Sequence, residues 1–578
     1  MQPLITEGFR LSPQQERLWI LQQDGGSPYR AQCSVLIEGD FNLARFQSAL
    51  QAVIDRHEIL RTTFRFIPGM TTPLQVIADS NIVPHLQQHD LCSSAIQEQK
   101  SSLEQLFRDE LVRPFDLEQG SPLHLTLIKL SPDRSVLLIG SPALYADAAG
   151  LKNLVSKIFQ AYKPSLQREE LSVEPMQYAD ISEWQNQLLE SEEWEAGREY
   201  WRTQEIGDLL NLRLPLEKDF NNHHEEFSPR ILDAPISADL VLKIKALVEA
   251  HETKAADVML GCWVTLLHKL TGAREVIVSV AGDGRRFGEL AGALGLLERS
   301  LPVRAEFESG TKFLEVMAEV RLRREEAERW QDYFSYEQLR ERRQSSGAEL
   351  YPFGFDWQEQ PEGMSGGGLN WRITEQWECL EPHKVKLVCV EEQSDAWRLQ
   401  WQYDERVVSA DVMERLAAQY EMVLEQVVSG GEELRVGDLA VMSERERWEV
   451  VEEYNRTEAE YEGAECLVEL FEAQVARTPD ALALVYEAEQ VSYGELNRRA
   501  NQLGNYLRGK GVGAEVLVGL CMKRSVEMVV GLLGIVKAGG AYVPLDPENP
   551  VKRLKYMLED SGAGVVLTQG GVKEKLGE

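Results

Sequence analysis

Residues 123–159 read LHLTLIKLSPDRSVLLIGSPALYADAAGLKNLVSKIF, and three patterns meet there. Leu123 to Leu130 and Ser135 to Gly140 read as two strands around the turn Ser131-Pro132-Asp133-Arg134, which predicts a hairpin. Leu151, Leu154, Val155, Ile158 and Phe159 then fall on one helical face. Residues 141 to 149 therefore lie at a strand-to-helix junction, where backbone and side chains are presented at a sheet edge and chemistry often sits.

The same alternation extends outward and predicts an α/β protein. Phe46 to Asp55 has helical spacing. Between about 230 and 430, Lys243 to Leu270 reads as one helix, Val276 to Val280 as a strand, and Val385 to Val390 and Trp397 to Tyr403 as two late strands. From 431 to 462 the composition shifts to Gly430, Gly431 and the charged run Ser443-Glu444-Arg445-Glu446-Arg447, which predicts a linker. A further segment begins near Cys466 and ends at Glu578, shortly after the apolar strand Gly564 to Leu567.

The 578 residues correspond to about three to five compact units at the usual domain size. With 61 Lys+Arg against 94 Asp+Glu the formal net charge is −33. Such a surface repels phosphate backbones and anionic lipid, and the basic stretch Arg321-Leu322-Arg323-Arg324 is followed at once by Glu325 and Glu326, so neither nucleic acid nor membrane is an expected partner. Seven cysteines without any Cys-x-x-Cys pair fit neither a disulfide framework nor a zinc site. The apolar run Met528 to Val536 is too short to span a bilayer, and the N-terminus lacks a basic head before an apolar core. A cytoplasmic location is expected.

Several strings share one order. They are Ser12-x-x-Gln15-x-Arg17-Leu18-Trp19-x-Leu21, Arg56-His57-Glu58-Ile59-Leu60-Arg61-Thr62-Thr63-Phe64 and Tyr178-x-Asp180-x-x-x-Trp184-Gln185. After Tyr454-Asn455-Arg456-Thr457 come Val491-Ser492-Tyr493-Gly494-Glu495-Leu496 and Lys537-Ala538-Gly539-Gly540-Ala541-Tyr542-Val543-Pro544-Leu545-Asp546-Pro547. The first set resembles the condensation domains of nonribosomal peptide synthetases, and the second resembles the opening motifs of amino-acid adenylation domains. The resemblance implies two chloramphenicol-acetyltransferase-like lobes forming a V-shaped domain, then a partial adenylation subdomain of the ANL type. The implied boundaries are 7–175 and 176–430 for the lobes, 431–462 for the linker and 463–578 for the truncated adenylation part.

In that family an acceptor amine attacks a donor thioester around a His-His-x-x-x-Asp-Gly loop, both substrates riding on phosphopantetheine arms of carrier proteins. The corresponding stretch here is Ser141 to Gly150, with Pro142 and Ala143 at the histidine positions and Ala148 at the glycine. Ala143 can neither accept a proton nor donate a hydrogen bond. Asp147 remains, either as a base aimed inward or as a structural carboxylate paired with an arginine such as Arg61. The structural role is the expected one, since pairing lowers the pKa and ion-paired carboxylates are commoner than catalytic ones. Tyr145 is either a hydrogen-bond donor to a carbonyl or a core aromatic, and the core role is expected.

Arg299-Ser300 replaces the family's usual Asn-Thr, and Trp330 opens a string commonly begun by His, while Gln331, Asp332, Glu337 and Arg304 are kept as scaffold. Arg61 and Arg304 are thus the expected loop supports. Aligned on Asp147, the heterocyclization variant of the loop is unsupported too, because Pro142 and Gly150 occupy its first Asp and its Ser. His223-His224 reads as a solvated inter-lobe stretch, and His57 and His124 as local hydrogen-bonders.

Three functions follow from the resemblance. The domain forms an amide between carrier-bound thioesters through positioning, with Asp147 or the acceptor amine managing the proton; or it is a docking platform for carriers or a tailoring enzyme; or it runs a variant thioester reaction such as cyclization or ester formation. Alignment of tethered reactants supplies roughly 7–11 kcal/mol without a dedicated base. No cofactor or metal is expected to bind directly, and ATP with magnesium belongs to a complete adenylation domain. Since Met1 nearly abuts the first motif, the donor carrier is expected in trans and the acceptor downstream.

Overall fold

The computed structural model describes residues 8–23, 29–66, 69–70, 72–78, 84–118, 121–163, 174–191, 194–204, 208–218, 227–336, 351–392, 396–460 and 466–576. The chain divides into two units, Met1–Trp448 and Glu449–Glu578.

The first unit rests on two mixed sheets. Its strands in chain order are β1 (Arg30–Gly39), β2 (Thr62–Arg65), β3 (Leu74–Ile77), β4 (Leu86–Asp90), β5 (His124–Ser131), β6 (Arg134–Pro142) and β7 (Pro229–Pro235). Then follow β8 (Glu275–Gly282), β9 (Arg299–Glu306), β10 (Phe353–Glu359), β11 (Met364–Gly366), β12 (Leu369–Cys379), β13 (Val385–Glu391) and β14 (Trp397–Asp404). One six-stranded sheet has the order β11-β12-β1-β6-β5-β4, the other β7-β14-β13-β10-β8-β9.

The hairpin and junction form as the sequence requires. β5 and β6 pair antiparallel, and β6 feeds the helix Ala148–Tyr162, whose face of Leu151, Leu154, Val155, Ile158 and Phe159 is buried on the first sheet. The late strands are β13 and β14.

Three expectations change. Lys243 to Leu270 is two helices, Ala238–Ala250 and Ala255–Thr271. The break at Glu252, with φ +46, is held because Asp257 accepts from the Thr253 hydroxyl and the Lys254 N–H, which recaps the chain. β11 and β12, expected in the second lobe, join the first sheet, where β12 pairs along the whole of β1. Trp371 and Trp377 pull that excursion into the first core. The first part of the expected linker is packed as well: Val436 and Leu439 are buried in the second core, and Phe313 N–H donates to Leu434 O.

Alternation sorts the second sheet by face. Phe353, Phe355, Val385 and Leu387 enter the apolar core beneath the helices. Gly354 stands opposite both Lys386 and Ser279, so these residues and Asp356 share the other face. On β12, Trp377 is buried in the first core, and its neighbour Glu378 lies level with Ala31 and Ser141 across the sheet.

The second unit has a parallel sheet of β17 (Leu517–Cys521) between β18 (Ala541–Pro544) and β19 (Val565–Thr568), and a hairpin of β15 (Leu482–Tyr486) and β16 (Glu489–Ser492). Ser492 caps the helix Tyr493–Gly509, and Gly539 at φ +90 ends the helix Val526–Ala538 before β18. The apolar run from Met528 lies within that helix, and among the described residues no helix is long and apolar enough to cross a membrane.

Candidate active site

Every residue from Ser141 to Ala148 is buried. Ala143 N–H donates to Tyr29 O, and Gln15 Nε2 donates to Leu144 O at 2.8 Å, so the first sequence motif holds this loop directly. Ser12 Oγ lies 2.8 Å from Tyr178 Oη, which in turn donates to Leu296 O at 2.6 Å. Gly295, at φ +135, lies so close to the Tyr178 ring that a Cβ there would sit 1.9 Å from it. Only glycine permits this approach. Tyr145 packs edge-on against Phe64 with centroids 5.1 Å apart, and burial pushes its phenol above the ordinary value, so it is a core aromatic.

Asp147 is the N-cap of the helix Ala148–Tyr162, and its two oxygens accept five hydrogen bonds. Oδ1 takes Gly150 N–H at 2.6 Å and Arg285 at 2.7 Å; Oδ2 takes Arg285 at 3.0 Å, Leu297 N–H at 2.8 Å and Glu298 N–H at 2.9 Å. Arg285 follows β8 and Leu297 precedes β9, so this carboxylate ties the helix to the second sheet's connections. The expected partner Arg61 is engaged elsewhere, donating to the carbonyls of Ile54, Ala78 and Asp55. Arg304 pairs with Glu275 at 2.8 Å on the neighbouring strand and does not reach the loop. Sequence spacing did not single out Arg285, because it is distant in the chain and belongs to no motif read there.

The kept scaffold residues serve the same seam. Gln331 Oε1 accepts Gly284 N–H at 3.1 Å, and its carbonyl accepts from Arg299. Asp332 lies 3.8 Å from Arg286. Arg17 forms a bidentate, buried pair with Glu381 at 3.1 and 2.8 Å. His124 Nδ1 lies 2.8 Å from Glu110, while His57 is buried with its imidazole pulled down to about 4 by burial and by Lys157 and Arg56. His223, His224 and Glu337 lie outside the described residues.

A second group of charges was not anticipated. Glu378 Oε2 accepts Ala148 N–H at 2.7 Å, at the positive end of the helix. Its Oε1 is buried without a hydrogen bond, 3.7 Å from Lys386 Nζ, which is 3.9 Å from Asp356 Oδ2. His383 Nε2 lies 2.6 Å from Ser279 Oγ; burial first, then Lys386, pulls the imidazole down to about 3, which keeps it neutral. Glu298 follows in the chain, its N–H donating to Asp147 Oδ2. Burial and then the neighbouring carboxylates raise Glu298 well above the carboxylate range, and burial raises Glu378 in the same direction.

A cavity of about 540 Å³ opens between the helix Ile96–Val112 and β12 on one side and β7 and β14 on the other. Gln376, which lines it, donates to Ala148 O at 2.5 Å, so the cavity adjoins the same helix start.

Residues 6–451 match the condensation-domain family model, and residues 471–577 match the AMP-binding-enzyme model. The chain is 30% identical over its full length to gramicidin S synthase 2 of Aneurinibacillus migulanus, of which it spans 13%. Its fold is similar to a holo four-domain nonribosomal peptide synthetase bound to AMP and glycine, at TM-score 0.78 and 19% identity over 99% of this chain and 44% of that one. It is also similar to the X-domain of teicoplanin biosynthesis, solved in complex with OxyB, at TM-score 0.61 and 20% identity over 76% of this chain and 96% of that one. The chain therefore belongs to the condensation-domain family of nonribosomal peptide synthetases, with an AMP-binding region after its condensation domain.

Proposed function

We propose that the first unit forms an amide between two carrier-borne thioesters within a cytoplasmic synthetase module. The observation that carries this reading is the helix start at Ala148, which is held between the two sheets, flanked by Glu378 and adjoined by the 540 Å³ cavity. Substrates would arrive on phosphopantetheine arms of a donor and an acceptor carrier protein, and the unit's contribution is alignment of amine and carbonyl together with management of one proton. The AMP-binding region would act with ATP and magnesium as part of a complete adenylation domain.

Asp147 is architecture in this reading. Five donors saturate its oxygens, and a base so occupied has no lone pair directed at a substrate. The test is a product assay by mass spectrometry with loaded donor and acceptor carriers. The amide is expected with the native domain, and Asp147→Asn is expected to keep production above background per folded molecule.

A second reading, a non-catalytic platform, is favoured by residues 142–146, which hold no side chain able to take a proton at neutral pH. In its support, a domain of the same fold is known in complex with OxyB. Carrier or enzyme binding without any amide product would establish the platform.

A further inference from the structure

Glu104, Phe107, Arg108 and Leu111, spaced as one face of the helix Ile96–Val112, line one side of the 540 Å³ cavity, and Ile231 of β7 lines the other. The volume falls in the range of small-molecule sites, roughly 300–1,000 Å³. β12 supplies the remaining wall in an unusual way. Its ladder with β1 slips at Thr374, since Ile373 pairs with Val35 and Glu375 with Ser34, and Thr374 Oγ1 lies 2.8 Å from Ser34 Oγ. A bulge of this kind re-aims the side chains beside it. Plain alternation would set the consecutive residues Glu375 and Gln376 on opposite faces, yet both line the cavity, and Gln376 also reaches the helix start at Ala148.

Three carboxylates and three arginines line the cavity, so pairing rather than count decides its charge. Arg398 is taken by Asp233 and, at 3.5 Å, by Glu392; Arg230 is taken by Glu405 at 2.7 Å. Glu104 has Arg108 at 3.5 Å and Lys100 at 4.0 Å. Glu375 is the lining carboxylate without a hydrogen bond or ion pair among the described residues. Burial raises its carboxyl from the ordinary value; Arg398 and Lys100 pull against this, and Asp233 and Glu104 add to it. The cavity is therefore one cation short beside an apolar wall, which fits a ligand with an aliphatic stem and a cationic tip.

Resting on the amide-forming reading, we propose that this cavity is the subsite for the side chain of a basic aminoacyl group, an aliphatic chain ending in ammonium or guanidinium, with Glu375 as its ionic partner. Phe107, Leu111 and Ile231 cover the stem. Asp233 is a positioning residue, because its pair with Arg398 keeps that guanidinium from occupying Glu375. A neutral side chain of equal length leaves the carboxylate unmatched and an acidic one is repelled by it, so the cavity selects by charge.

The test measures binding to the whole chain by calorimetry at neutral pH, with stable amide-linked pantetheine analogues carrying lysine, norleucine or glutamate. The lysyl analogue is expected to bind about 10-fold more tightly than the norleucyl one. Glu375→Gln is expected to abolish that preference, and Glu375→Lys to turn it toward the glutamyl analogue. Asp233→Asn, which frees Arg398 for Glu375, is expected to reduce the lysyl preference, and Arg398→Gln in the same background to restore it. Equal affinity of native protein for the lysyl and norleucyl analogues, binding of neither, or a preference that survives in Glu375→Gln overturns the subsite. Amide formation from carriers loaded with lysine or norleucine is followed separately. A Glu375-dependent preference with no amide formed sinks the amide-forming reading and leaves the cation site standing; amide formed alike from both residues, with no preference in binding, sinks the subsite and leaves that reading standing.

Discussion

Two neighbouring carboxylates at the start of the helix Ala148–Tyr162 meet opposite fates. Asp147 receives five hydrogen bonds, two of them from an arginine in bidentate geometry, whereas Glu378 receives one backbone N–H and faces a lysine 3.7 Å away. Both are buried, so burial does not separate them; donor supply does. A saturated carboxylate is a structural tie, and an undersupplied one is pushed by its burial above the ordinary carboxylate value.

The sharpest way to break this comparison is Asp147→Asn. It removes the buried charge facing Arg285 and leaves that guanidinium with only the exposed carboxylate of Asp283 as an ionic partner, so a loss of about 3–5 kcal/mol in the stability of the first unit is expected by denaturant titration. A loss below about 1 kcal/mol would show that the tie is not structural.

His383 gives the next effect, and its sign is opposite to that of the carboxyls. Its folded value of about 3 lies below the ordinary 6.5, so its contribution is present above pH 6.5 and is lost as pH falls toward 3. His383→Gln, which can still bond Ser279, is expected to flatten the acid limb of a stability profile. Glu298 and Glu378 lie above their ordinary 4.5, so the stability they contribute is present below that value and is lost as pH rises through the raised one. Glu298→Gln is expected to make the first unit less sensitive to pH on the alkaline side, read from denaturation midpoints; an unchanged slope would place Glu298 outside the coupled group.

Glu378→Gln sharpens the contrast with Asp147. The amide oxygen still accepts Ala148 N–H and an excess charge is removed, so a change within about 1.5 kcal/mol is expected in the same titration. Arg304→Gln should matter least, since its pairs with Glu275 and Glu306 are partly exposed; up to about 1 kcal/mol is expected.

Much of the frame was legible in the sequence because local periodicity dictates it. The hairpin, the junction at 141–149 and the helix after it follow from alternation and spacing within 40 residues. Gln15 and Tyr178 could be picked out as motif members, but their contacts with Leu144 O and Leu296 O could not. The return of β12 to the first sheet was hidden for a related reason: its apolar residues look alike whichever core receives them, and pairing with β1 spans more than 300 residues of chain.

From its residues alone this chain determined an α/β architecture and a junction loop without histidine, and family resemblance pointed to a condensation-type domain ahead of an AMP-binding region. Tertiary structure decided that Arg285, not Arg61, meets Asp147, and that Glu298, Glu378, Asp356 and Lys386 share one seam. The physical reason is range. Secondary structure is set by neighbours a few residues away, while a carboxylate's chemistry is set by charges and donors within a few ångströms, wherever in the chain they originate.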